Sequence, residues 1–251
     1  MVLAPFLGFI DQSFWRYSFV EDHLQYLAGM GPLALVGAGM AWLVVLVIPA
    51  RRMLQSTLGA AVLLTLAIAS WGRSWAYESE ETLWIDAIAK NPSCWVGYNN
   101  LGAALLNRGQ LGAAMARFQK AIEINPNYAG AYNNLGNALL QKGQVDEAIQ
   151  QFRNALKLSP NFAQAYYNLG NALLQKGQVV EAIQQYQIAL KINPNYSEAR
   201  NNLGNVYLQI GQVGEAVAQF QEALRLQPDN AIIQKNFSKA QAMAQQAHGL
   251  K

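Results

Sequence analysis

The chain has 251 residues, of which 52% are hydrophobic and only 13% are charged, a composition that is apolar for a soluble protein and allows one or two domains. A formal net charge of +3, with basic residues that alternate with acidic ones, argues against a nucleic-acid-binding protein. One cysteine and two histidines far apart in sequence exclude an intramolecular disulfide and provide no metal-binding pair, so we expect no cofactor and no metal.

The first 77 residues predict a membrane region. Two uncharged spans of about 20 residues each, at about 27–48 and 53–72, have the length that is needed to cross a bilayer. Arg51 and Arg52 lie in the short connection, which the positive-inside rule places in the cytoplasm. The rest of the chain is then expected on the extracytoplasmic side, periplasmic or lumenal. A buried hairpin of a soluble protein is the alternative.

The remainder of the chain repeats every 34 residues. Prolines fall at this interval, at Pro92, Pro126, Pro160, Pro194 and Pro228. Other residue types recur in the same phase, and in one repeat they are Leu135, Gly136, Gly143, Ala148 and Phe152. A glycine such as Gly143 can end one helix in the left-handed conformation, and the residue before each proline ends the next helix. The pattern therefore predicts two helices per repeat, whose apolar faces are buried only by stacking.

This pattern resembles the tetratricopeptide repeat family over residues 95–228, in four copies. The resemblance implies an all-α solenoid, so the predicted architecture is a transmembrane helical hairpin followed by a solenoid. Residues 78–94 look like a half-repeat helix that starts the stack, with Trp84 and Ala87 in phase with later repeats. Residues 229–251 look like a capping helix and tail.

Asparagines recur on one face of the first helix of each repeat. The resemblance implies that these first helices line a concave groove, where stacking turns one position into an asparagine row. The row consists of Asn100, Asn134, Asn168 and Asn202. Further amides assigned to the groove are Asn133, Asn137, Asn171, Asn201 and Asn205, while the first repeat has Ala103 in place of Asn137.

A primary amide both donates and accepts hydrogen bonds, so the asparagine row could hold the main chain of an extended peptide. Similar rows are a feature of the O-linked N-acetylglucosamine transferase repeats, and the resemblance implies the same role here. The alternative is that these asparagines belong to the family consensus and link adjacent helices or their loops.

The repeat region contains no catalytic constellation. Its glycines end and pack helices and form no phosphate-binding loop, and Glu80, Glu81 and Asp86 are better explained as the solvated face of a helix than as paired catalytic carboxylates. We therefore predict a membrane-anchored scaffold that binds a peptide or protein. Near-identical repeats also make self-association possible.

The stretch "FWRYSFVEDHLQYLA" places charged residues, including Arg16 and His23, just before the first apolar span. Interfacial anchoring explains them simply. Residues 5–95 also resemble the C-terminal part of multi-pass protein O-mannosyltransferase-like proteins with repeat tails. That resemblance implies contact of Arg16 and His23 with a lipid-phosphate donor and catalytic residues upstream. The alternative function is thus the acceptor-binding portion of a membrane-embedded, lipid-linked glycosyltransferase.

Overall fold

The computed structural model describes residues 61, 64, 65 and 79–249, with side chains through residue 246. Almost all of the predicted membrane region, 1–77, lies outside these residues. Among the helices that are described, none combines the length and the apolar character that a membrane span requires. Ser79–Lys251 form a compact unit, and it is this unit whose fold is described below.

Residues 79–249 contain ten α-helices and no strand, which confirms the predicted all-α solenoid. A leading helix, α1, spans Glu80–Lys90. Four helix pairs follow: α2 (Trp95–Asn107) and α3 (Leu111–Ile124), α4 (Ala129–Gln141) and α5 (Val145–Leu158), α6 (Ala163–Gln175) and α7 (Val179–Ile192), α8 (Ser197–Gln209) and α9 (Val213–Leu226). The last helix, α10, spans Ala231–Gly249. We call α2, α4, α6 and α8 the first helices and α3, α5, α7 and α9 the second helices.

The repeated glycine ends each first helix, as predicted. Gly143 has a φ of 83°, in the left-handed region that an L side chain rarely adopts. Its N–H donates to the carbonyl of Leu140, and the N–H of Gln144 donates to the carbonyl of Leu139, which is the Schellman pattern of helix termination. The chain therefore reverses its direction within three residues, and the second helix packs against the first.

A buried aromatic ring joins the two helices of each repeat. Each second helix contributes one completely buried ring, from Phe118, Phe152, Tyr186 and Phe220. Each ring lies on a glycine of the preceding first helix, and a Cβ placed on Gly136 would be only 2.6 Å from a ring carbon of Phe152. The glycine therefore sets how closely the two helices approach, because any side chain would displace the ring.

Consecutive repeats share one core. A continuous cluster of buried side chains runs from Leu101 in α2 to Val206 in α8. First helices contact the first helices of neighbouring repeats, as α2 does with α4 and α4 with α6, whereas the second helices of consecutive described repeats make no comparable contact. Because the first helices lie closer together, their layer forms the inner, concave side of the stack.

The close ring contact leads to a stability prediction for Gly136→Ala. The added methyl group must displace a ring with no free space around it, and overpacking of this kind costs about 1–3 kcal/mol. Chemical denaturation should therefore show a lower free energy of unfolding. Gly112→Ala is the matched control, because nothing lies within 4 Å of that position. Equal stability of the two variants would contradict the proposed role of the ring contact.

Candidate peptide-binding face

Side-chain amides on the first helices form a chain of hydrogen bonds from repeat to repeat, here called the amide ladder. The first two links join the first asparagine of one repeat to the asparagine at the second position of the pair in the next repeat. The Nδ2 atom of Asn134 donates to Oδ1 of Asn99 at 2.9 Å, and Nδ2 of Asn168 donates to Oδ1 of Asn133 at 2.8 Å. The same bond links Asn236 of α10 to Asn201 at 2.9 Å. The ladder therefore extends into the last helix.

Neighbouring asparagines within a helix also form hydrogen bonds, so the ladder amides are partners of one another both within and between repeats. The Nδ2 atom of Asn133 donates to Oδ1 of Asn134, as that of Asn99 does to Asn100. Asn99, Asn133 and Asn168 are buried, with at most 5% of their surface exposed. Buried amides are costly unless they are hydrogen-bonded, and here the partner is the adjacent repeat. The asparagines thus link adjacent helices, which is the alternative interpretation of the sequence pattern.

The predicted groove residues therefore divide into two sets. Asn133 and Asn168 are buried in the ladder, while Asn100, Asn134, Asn201 and Asn202 are half-buried members of it. The second set, here called the open amides, contains Asn137, Asn171 and Asn205. That any of these residues binds a peptide stays a prediction. Arg16 and His23 lie outside the described residues.

The open amides retain hydrogen-bonding capacity at the surface. Within residues 79–249, the side chains of Asn137, half-buried, and Asn205, exposed, make no hydrogen bond. The Oδ1 atom of Asn171 accepts from the hydroxyl of Tyr186 at 2.6 Å and from Nδ2 of Asn202 at 2.9 Å. Its Nδ2 group makes no hydrogen bond within the same range. These amides are spaced by 34 residues, one in each of the second, third and fourth repeats, on the helices that line the inner side.

The amide ladder changes character in the third repeat, where Tyr167 replaces the first asparagine. The hydroxyl of Tyr167 accepts from Nδ2 of Asn202 at 3.1 Å, so the link between repeats is retained. The ring of Tyr167 lies 5.0 Å from that of Tyr196 and 6.0 Å from that of Tyr186, measured between centroids. We call Tyr167, Tyr186 and Tyr196 the tyrosine cluster. Sequence reasoning missed it, although Tyr167 is the one departure from asparagine at its position.

The surroundings of Tyr186 and Tyr196 disfavour ionisation of their hydroxyls. Burial raises the pKa of Tyr186 well above the usual value for tyrosine, and the nearby hydroxyl of Tyr167 raises it further. Burial likewise raises the pKa of Tyr196, with smaller contributions from Tyr167 and from the carboxylate of Glu198. Tyr186 and Tyr196 are therefore uncharged at neutral pH, and Glu198 is the acidic residue beside Tyr196.

Comparison with known families identifies the architecture. One model of the tetratricopeptide repeat matches residues 102–143, 136–177 and 170–211. A second model of the same repeat matches residues 197–230. These matches together span about half of the chain. The protein therefore belongs to the tetratricopeptide repeat family.

Solved structures of the same fold support this assignment. YrrB, described as a tetratricopeptide repeat protein with an unusual peptide-binding site, is 28% identical, with a TM-score of 0.52 over 64% of this chain and 84% of YrrB. MamA is 26% identical, with a TM-score of 0.52 over 59% of this chain and 86% of MamA. A thermophilic repeat protein of Thermus thermophilus shares the fold at 21% identity and a TM-score of 0.58, over 72% and 95% of the two chains. A comparison with curated proteins gives no match.

The buried link between Asn133 and Asn168 gives a second stability prediction. Asn168→Ala removes the donor to a buried carbonyl oxygen, and an unsatisfied buried polar group costs about 1–3 kcal/mol. Asn205→Ala is the control, because that exposed side chain makes no hydrogen bond within the described range. Urea denaturation should show a clear loss for Asn168→Ala and a change within about 0.5 kcal/mol for the control. Similar losses for both would mean that the ladder does not stabilise the stack.

Proposed function

We propose that this protein is a membrane-anchored scaffold whose inner face binds an extended segment of a partner protein. The observation that carries the proposal is the difference between the ladder amides and the open amides. The ladder amides are hydrogen-bonded to one another within and between repeats, whereas Asn137 and Asn205 make no hydrogen bond within the described residues. Amides that remain available at regular intervals suit a ligand that is itself regular along its length.

The main chain of an extended peptide is such a ligand. Its N–H and C=O groups recur along the strand, and one primary amide can donate to a carbonyl and accept from an N–H at the same time. Asn137 and Asn205 can then contact the peptide as donor and acceptor, and Asn171 as a donor only, because its Oδ1 atom already accepts two hydrogen bonds. The half-buried ladder members Asn100, Asn134 and Asn202 complete the proposed contact surface. The supporting residues of the proposed site are then Asn133, Asn168 and Asn201. The peptide-binding site described for YrrB adds support from a related fold.

Site-specific photocrosslinking tests the groove. With benzoylphenylalanine in place of Asn137 or Asn205 in the full chain, we expect both positions to crosslink to one continuous segment of one partner, identified by mass spectrometry. The same substitution at Gln184, exposed on the second helix α7, is the control and should not capture that segment. Identical products from inner and outer positions, with the fold intact by circular dichroism, would contradict the proposal.

The anchor is the second part of the proposal. It rests on the two uncharged spans, 27–48 and 53–72, and on the arginines in their connection, which favour an extracytoplasmic repeat domain. We expect the full chain to remain in membranes after alkaline carbonate washing. Protease added outside sealed, right-side-out vesicles should degrade the repeats and leave a membrane-embedded fragment. Protected repeats would reverse the orientation, and release by carbonate would exclude the anchor.

The glycosyltransferase alternative depends on the resemblance of residues 5–95. Most of that range lies outside the described residues, and no contact within residues 79–249 favours it. The scaffold is therefore the function proposed here.

A further inference from the structure

The third repeat differs from the others in one side chain on the inner face. Three repeats carry an asparagine at the first position of the pair, namely Asn99, Asn133 and Asn201, and the third carries Tyr167. Because the hydroxyl of Tyr167 still accepts a hydrogen bond from Asn202, the phenol ring is an addition to the face that the link between repeats does not require.

The ring of Tyr167 forms an angle with that of Tyr196. Their planes are tilted by 42° at a centroid distance of 5.0 Å, and both side chains are half-buried. Two tilted rings that are only partly covered leave aromatic surface available to a ligand. The face of an aromatic ring carries partial negative charge and attracts cations.

An anionic group completes this arrangement. Glu198 lies two residues after Tyr196 in the first turn of α8 and is exposed. Its Oε1 atom accepts one hydrogen bond, from Gln227 at 3.4 Å, and no lysine or arginine among the described residues forms an ion pair with it. The nearby Arg200 donates instead to the carbonyl of Pro194 and to Gln219.

From this geometry we propose that Tyr167, Tyr196 and Glu198 form a subsite for an arginine side chain of the bound peptide. A planar guanidinium stacks on a tyrosine face and keeps its N–H groups free to donate to a carboxylate. An acidic side chain would be repelled by Glu198, and a purely apolar one would leave that carboxylate unpaired. The inference rests on the proposed peptide-binding function and adds to it the first side-chain preference.

The experiment is a selection of random dodecapeptides, displayed on phage, on the immobilised full chain. Four proteins are compared: the wild type, Tyr167→Asn, Glu198→Gln, and the double variant Asn137→Ala/Asn205→Ala. Tyr167→Asn restores the residue that the other three repeats use, so its fold should be retained, as melting followed by circular dichroism will check. Glu198→Gln changes only charge at an exposed position and serves as the second variant.

We expect the wild type to enrich peptides with arginine at one fixed position, and both subsite variants to lose that preference while still selecting peptides. For one synthetic peptide from the selection, replacing arginine by citrulline should weaken binding to the wild type about tenfold and leave binding to Tyr167→Asn nearly unchanged.

Other outcomes separate the two proposals. One outcome is that the wild type selects peptides without arginine enrichment and the double variant does not select them. That result would contradict the arginine subsite but would agree with the peptide-binding groove. Arginine enrichment that persists in both Tyr167→Asn and Glu198→Gln would also overturn it. If the wild type selects no peptide above background, both proposals fail.

Discussion

The contact between an aromatic ring of one helix and a glycine of the preceding helix governs the rest of this structure. Phe152 on Gly136, repeated in the other three repeats, leaves no room for a side chain between the paired helices. This contact fixes the geometry of each repeat, and identical units can then stack with the same displacement each time. Only under that regularity do amides from different repeats come within 2.9 Å of each other.

Much of the fold could be predicted from sequence because its determinants are local. Gly143 ends a helix through its own φ angle, and the prolines act on the residue before them. The burial of Asn133 could not be predicted in this way. Its partner Asn168 lies 35 residues away and not 34, since each ladder link joins different members of two asparagine pairs. That offset depends on how one repeat is rotated relative to the next, which no single repeat encodes.

The two sets of amides on the inner face complement each other. Ladder amides form hydrogen bonds within the stack and hold neighbouring first helices together. This arrangement leaves the open amides on a supported surface, and Asn171 is directly held by Tyr186 and Asn202. A binding group that is already oriented loses less conformational entropy when a ligand arrives. The structural and the binding interpretations of the asparagines are therefore compatible, because the buried ladder members and the open amides occupy different positions of the same helix.

Tyr167 changes the chemistry of the inner face and retains the hydrogen bond between repeats. In the proposed groove, a regular row of amides contacts the main chain, which is the same in every peptide, so discrimination between peptides requires a position where the row is irregular. Substitution by an apolar residue would leave Asn202 without one of its acceptors, whereas tyrosine provides an oxygen for that bond and a ring beside it. Because the tyrosine lies next to Tyr196 and near Glu198, which forms no ion pair among the described residues, the irregular repeat is the position that we propose for side-chain recognition.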